Sequence, residues 1–486
     1  MYKKRKIKWI RILFPIPFVI GVIGYRMAGY GFSDSLYGSF CYYFVSVYYN
    51  LASNYLMEIA RWTAPLMTVT GVLYSARLLF KRAGNNITEF KRNSTVIYCD
   101  ESTSGAARAL CDNLENCFIE KVNPSDPVII HRNAKNQILF LKDDTANLNF
   151  HGRFKDDMEK SQIYIKLELF DSELFASTNV HYIQLTELIA FMFWNKYPIL
   201  SLDKKDDHEY HIAIIGSNEL AQRILIHGLH DNLFFKDQKF IYHIYGESHS
   251  LYKDLYSTIA LMNGDRVVYE DKEWFESYEE ISHMDRVILT EHDNSLTLEK
   301  LIYKCGNVPI YYFAQYEANP AQYFRATNIH PFGEMSKVLT KNNILNSKLF
   351  EASKDIHFLY VNKNPNLSAA EKEKLKNAEW QKLDGFMQSS YNALASFYYN
   401  YIKMYKLGHP LETDLQTLAE LEHLRWSRFY FKSFWTYGIP EDGSPRDPEK
   451  KIHRALVPYN QLCEEDKDRE LKRIQFLIDA YRTNNK

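Results

Sequence analysis

"HIAIIGSNELAQRILIHGL", residues 211–229, decides the fold. A short run rich in isoleucine breaks at Gly216-Ser-Asn and resumes as a helical pattern through Leu220, Ile224 and Leu225. Strand, tight turn and helix in that order open a parallel α/β unit. Working downstream, "FIYHIYGES" (240–248), "DRVVYED" (265–271), "DRVILTEHDN" (285–294) and "VPIYYFAQY" (308–316) supply further strands. Upstream, "STVIYCDESTSGAARALCDNL" (94–114) repeats the opening scheme, and "QILFLKDDTANLNF", "SQIYIKL" and "HYIQLTELIAFMFW" continue it. The reading is two Rossmann-like α/β domains in tandem, residues 93–207 and 208–365, between an apolar N-terminal module (1–92) and a helical C-terminal domain (366–486).

A dinucleotide site needs G-x-G-x-x-G/A at the first turn, where a side chain blocks the pyrophosphate from the backbone. In the second unit Gly216 and Ala221 fit, but Asn218 takes the middle position. In the first, Asp100 and Ser102 replace two glycines and Asp100 puts negative charge where phosphate would sit. Such turns are more often fold geometry than working cofactor sites. No nucleophile–base set stands behind either one, so an enzyme is not expected and a nucleotide-processing enzyme ranks third among the readings. No cofactor is obligatory.

The formal net charge is −1, with 59 basic and 60 acidic residues, which gives no basic field for nucleic acid. Six cysteines lack metal-ligand spacing, so no metal site is expected.

In the last domain, "AELEHLRWSRFYFKSFWTYG" (419–438) crowds aromatic and charged residues onto one helix that runs to about Phe434, with Thr413 as its expected N-cap. Leu418, Leu421 and Leu424 recur at helical spacing, so one face is core. Trp426, Trp435 and Tyr437 suit stacking on a flat base, or filling a core. Arg425, Lys451 and His453 suit an anion, and Glu422 suits base or ribose donors, with His423 at the border of that face.

At the N-terminus, Trp9–Tyr25 and Ile59–Phe80 read as two membrane spans. Basic clusters before the first and after the second put both termini in the cytoplasm. Between them lies "GFSDSLYGSFCYYFVSVYYNLASNYLME", too apolar for an ordinary external loop and long enough for a re-entrant helix plus return strand.

That order resembles the pore module of two-span potassium channels, with Val45, Ser46, Val47, Tyr48, Tyr49 and Asn50 at the filter position. Val47 and Tyr49 stand where a potassium filter has glycine. The tandem α/β domains that follow resemble regulator-of-potassium-conductance (RCK, TrkA-N-like) domains. "LEHLRW", "WTYG" and "DPEKKIHRALVPYNQL" resemble the ryanodine-receptor-type (RyR) domain of the prokaryotic kind. These resemblances imply a homo-oligomer, a tetramer by analogy, in the cell (inner) membrane. A nucleotide-derived ligand in the last domain would be coupled to a channel-like pore, in signalling or anti-phage defence. The alternative is a membrane-tethered sensor or scaffold that conducts nothing.

Overall fold

The computed structural model describes residues 14–46, 54–123, 128–168, 180–199, 209–246, 264–291, 295–314, 328–345, 348–362, 367–406 and 414–484. It divides into two compact units, Met1–Lys91 and Arg92–Lys486.

In the first unit, α1 (Ile16–Met27) packs on α2 (Phe32–Cys41) and α3 (Tyr55–Glu89). Small residues make the approach possible: a Cβ on Gly21 would lie 2.8 Å from Ser39 Oγ, and one on Gly24 2.8 Å from Met57 Cγ. Tyr25 is fully buried against Gly38. Phe14, Val19, Ile23, Trp62, Leu66 and Val69 are exposed. No helix among the described residues is long and apolar enough to cross a membrane. The expected first span begins in residues outside the described set, and the expected second lies within α3, which carries Pro65. At the expected filter, Val45 caps a short helical turn at φ 57° and Ser46 follows. Val47, Tyr48, Tyr49 and Asn50 lie outside the described residues.

The second unit holds two parallel sheets. The first contains β1 (Thr95–Cys99), β2 (Cys117–Lys121), β3 (Asn136–Phe140), β4 (Gln162–Leu167) and β5 (Val180–Gln184), in the order β2-β1-β3-β4-β5. Helices α4 (Ser104–Asp112) and α5 (Asp144–Phe154) are crossovers in it. From β5 the chain passes directly into α6 (Leu185–Lys196).

The second sheet contains β6 (Glu209–Ile215), β7 (Lys239–Tyr245), β8 (Arg266–Tyr269), β9 (Arg286–Leu289), β10 (Ile310–Phe313) and β11 (Ile329–Phe332). Its order is β11-β10-β9-β6-β7-β8, with α7 (Glu219–Asp231) after β6 and α8 (Ser295–Lys304) after β9. Central strands buried on both faces explain the near-continuous apolar runs. This is the 3-2-1-4-5-6 dinucleotide order, and the first sheet has the 2-1-3-4-5 order.

One apolar core runs through both sheets by way of α6. Trp194, fully buried, donates Nε1–H to Ile224 O of α7 at 2.8 Å. Removing about 200 Å² of such a ring from water is worth roughly 5 kcal/mol before entropy.

The C-terminal part contains α9 (Lys348–Val361), α10 (Ala369–Gln381), α11 (Gly385–Lys406), α12 (Leu415–Lys432) and α13 (Glu464–Asn484). A small sheet, β12 (Thr436–Tyr437), β13 (Arg446–Asp447) and β14 (Ile452–His453), sits between α12 and α13 in the chain, in the order β12-β14-β13. α10 opens with a Ser368–Glu371 capping box. Asp414, not Thr413, caps α12, accepting from Thr417 N at 2.8 Å, and Thr413 lies outside the described residues. The helix ends at Lys432 rather than Phe434, which has φ 62°. α9, within residues 208–365 on the sequence reading, packs Ile356 into this helical core.

Candidate functional site

Ligands in open α/β sheets bind where strand order reverses, at the carboxyl ends of the strands. In both sheets the chain's own carboxylate holds that place. In the first, the reversal lies between β1 and β3. Asp100 Oδ1 accepts from Ser102 N (2.9 Å) and Thr103 N (3.0 Å), and Oδ2 from Lys142 N beyond β3 (2.6 Å). Burial pushes the Asp100 carboxyl up, but these donors together hold it below its ordinary value.

In the second sheet, the reversal lies between β6 and β9. Asn218 caps α7 through Ala221 N (3.0 Å) and donates to Thr290 O (2.7 Å), while Glu291 Oε1 accepts from Ser217 N (3.2 Å). Gly216 is needed for its turn: φ is 135°, and a Cβ would sit 2.2 Å from Thr290 Oγ1. Gly216, Asn218 and Ala221 therefore build a turn whose Ser217 N–H is taken by the Glu291 carboxylate and whose Ala221 N–H is taken by the Asn218 cap, and that is poor ground for phosphate.

The C-terminal domain has a cavity of about 250 Å³. Its walls come from α9 (Ile356, Tyr360), α11 (Met387, Ser390, Tyr391, Leu394), α12, the β13–β14 pair and α13. Four of the eight residues nominated from sequence line it: His423, Arg425, Trp426 and His453.

Arg425 is 1% exposed and grips Glu422 with two bonds, Nε to Oε2 at 2.6 Å and Nη2 to Oε1 at 2.8 Å. Its third nitrogen, Nη1, finds no hydrogen-bond partner among the described residues. Glu422 is fully buried and does not line the cavity. Its role here is to orient Arg425, with Arg473 Nη1 a further 3.6 Å away, rather than to meet a base or ribose.

His423 is held by a bond between Nε2 and Val457 O at 2.8 Å. A carbonyl only accepts, so the proton is on Nε2, leaving Nδ1 as a buried acceptor without a partner among the described residues. Burial lowers its pKa despite that carbonyl. His453 Nδ1 accepts from Ala455 N at 3.0 Å, and its pKa is pushed down to about 4, by burial first and then by Arg446. At neutral pH His453 is therefore a neutral donor through Nε2 rather than a cation. Trp426 packs between them, stacked on His423 (5.5 Å) and edge-on to His453 (4.8 Å).

The other three nominated residues stand elsewhere. Trp435 is core, stacked on Phe386 at 5.2 Å. Tyr437 is exposed on β12. Lys451 turns outward at φ 50° and donates to Ser433 O at 3.0 Å. The left-handed residues Phe434 and Lys451, invisible to helical periodicity, redirect both ends of this segment.

Sequence reasoning missed Arg446, Arg473, Tyr391 and Tyr360, all in the cavity wall. Arg446 lay in what reads as a polar turn, and only its pairing with His453 across β13–β14 brings it in. Its Nη1 meets Met387 Sδ at 2.9 Å, it bonds Tyr430, and no carboxylate lies within 4 Å among the described residues. Arg469 pairs with Asp466 (3.0 Å) and Arg473 with Glu470 (3.1 Å).

The cavity helix is also a docking helix. Arg428 of α12 donates to Leu229 O at the end of α7 (2.7 Å) and to Asp265 before β8 (2.7 Å), with both side chains buried. Asp265 in turn accepts from Phe240 N of β7 at 2.7 Å. Nearby, His227 bridges Glu187 (2.9 Å) and Asp231 (3.0 Å); burial disfavours its charge, but the two carboxylates lift its pKa to about 10.

Residues 402–483 match the RyR domain.

No curated protein matches the chain. Among solved structures, GsuK bound to ADP is 15% identical, with 70% of this chain and 95% of that chain covered and a TM-score of 0.36. A GsuK mutant is 14% identical over 72% of this chain and 100% of that one, at 0.35. A dipicolinate synthase polypeptide from Bacillus halodurans is 11% identical over 51% and 95%, at 0.22. The RyR match takes in α12, the small sheet and most of α13, whereas Ile356, Tyr360 and Tyr391 precede it. The cavity is thus closed by helices upstream of the RyR domain.

A pH dependence follows from His453. Its folded pKa lies below the ordinary 6.5, so the unfolded chain binds the proton first as pH falls. Stability from this group is complete above about pH 6.5 and is lost progressively down to about pH 4. Urea unfolding of the wild type and His453→Gln at pH 7 and pH 5 is expected to show a smaller acid loss in the variant. Equal losses would reject this account.

Proposed function

We propose that the chain is a ligand-responsive regulatory protein in which the RyR-domain cavity binds a small anionic aromatic molecule of nucleotide type. The observation that carries this reading is an aromatic-walled cavity lined by Arg425 and His423, whose Nη1 and Nδ1 are buried without a partner among the described residues, since buried polar groups ordinarily have partners. The filled reversal points of both sheets argue for that cavity over either Rossmann-like turn. Occupancy is read out through α12, whose Arg428 is anchored in the second sheet. Such coupling requires unequal ligand affinity for the two states of that contact.

The finer reading is an oligomeric, channel-like membrane effector acting in signalling or bacterial defence. The exposed apolar side chains of α1 and α3 support lipid contact or self-association. A non-conducting tethered sensor fits the same observations, and ion flux in liposomes carrying the full chain separates the two.

The primary test is hydrogen–deuterium exchange of the full chain with adenine and guanine nucleotides. Slower exchange is expected in α12 and β13–β14, with a second change at 226–231 and 264–269. Unchanged exchange in the C-terminal domain with every nucleotide would reject the sensor reading.

A further inference from the structure

Two walls of the RyR cavity carry different unmet chemistry. On the β13–β14 wall, Arg446 and His453 are cross-strand neighbours. Arg446 has no carboxylate within 4 Å among the described residues, and the side chains it meets there are the weak acceptor Met387 Sδ and Tyr430. His453 accepts through Nδ1, so Nε2–H supplies a second donor beside that guanidinium. The cavity also holds two acids of α13, Asp466 and Glu470. Each of those is already engaged, Asp466 by Arg454 (3.4 Å) and Arg469, Glu470 by Arg473. On the helical wall, His423 offers a lone pair rather than a proton, next to the indole of Trp426.

We infer that the β13–β14 wall is an oxyanion subsite, with Arg446 its principal ligand and His453 a neutral second donor, and that the α12 wall takes a planar ring bearing an N–H or O–H donor for His423 Nδ1. The ligand class is a phosphomonoester of a nucleoside-sized aromatic. Three arguments bound it. A guanidinium without a carboxylate partner presents a fork that matches phosphate oxygens. A neutral imidazole acceptor rejects a ring that offers only lone pairs, because two acceptors would then face each other. The volume, about 250 Å³, is below the usual 300–1,000 Å³ of ligand pockets, which bounds the ligand at no more than one nucleotide and leaves no room for a dinucleotide.

This rests on the cavity being the ligand site, and the test keeps the two claims apart. Calorimetric titration of the full chain would use adenosine monophosphate, adenosine, inorganic phosphate and a cyclic dinucleotide. The monophosphate is expected to bind at least tenfold tighter than adenosine, and the dinucleotide more weakly than either. Arg446→Gln is expected to erase the monophosphate's advantage while leaving adenosine binding unchanged. Because Arg446 has no buried acid to strand, the variant is expected to fold, and an unchanged unfolding midpoint checks this. If the monophosphate keeps its advantage in Arg446→Gln, or the dinucleotide binds tightest, the subsite is wrong while the sensor reading stands. If none of the four probes and no guanine nucleotide binds the wild type, both fall.

Discussion

Arg425→Ala is expected to destabilise the C-terminal domain by about 3–5 kcal/mol, because it strands a buried carboxylate. Glu422 is fully buried and its two shortest bonds are to Arg425; Arg473, at 3.6 Å, is a poor substitute. Urea unfolding of the full chain, followed by Trp fluorescence, measures the loss. The double variant Glu422→Leu/Arg425→Met removes both charges and is expected to recover most of it, since no ion is left alone. A single-variant loss below about 1 kcal/mol, the range of exposed pairs, would mean the pair is not buried as described. Loss of ligand binding in Arg425→Ala is therefore not evidence of direct contact, and Arg446 is the cleaner probe.

The second large effect is expected at Arg428, where alanine leaves Asp265 buried without its partner and frees Leu229 O. A loss of about 3–5 kcal/mol is again expected. It should differ in place, since Asp265 also holds Phe240 N at the start of β7. Exchange should quicken at 229–231 and 239–242 as well as in α12. Asp265→Asn keeps an oxygen for Phe240 N but turns an NH2 donor toward Arg428, so a comparable loss is expected in α12 with exchange at 239–242 largely spared. In Arg428→Ala, faster exchange confined to α12 would show that Arg428 is not a link between the sheet and the cavity helix.

The sheets were legible because their information is local. Apolar runs at 212–215 and 287–289 are short enough and β-branched enough to read as strands, and Gly216 marks the turn between strand and helix. Asp100 was readable as a phosphate-repelling charge for the same reason. Glu291 was not: it reaches Ser217 N across 74 positions, a contact only the strand order creates. In the cavity, periodicity separated the Leu418–Leu421 core face of α12 from the His423–Trp426 side. It could not show that Glu422 points away, since an i,i+3 pair with Arg425 looks the same on an exposed helix as on a buried one. Trp435 and Tyr437 stand off the cavity because each follows the left-handed Phe434. Arg446 was hidden because two-residue strands leave no pattern.

The buried Arg428–Asp265 bond also sets a timetable. The partners are 163 residues apart, and a ribosome adding about 5–20 residues per second makes Asp265 roughly 8–33 s before Arg428. During that interval the second sheet can form with Asp265 still hydrated, and the end of α7 still uncovered. Arrival of α12 then dries an acid that has already been placed. The cavity helix is thus assembled against a finished surface, and a chain cut short before residue 414 would leave that surface open for chaperones or a second nascent copy to find.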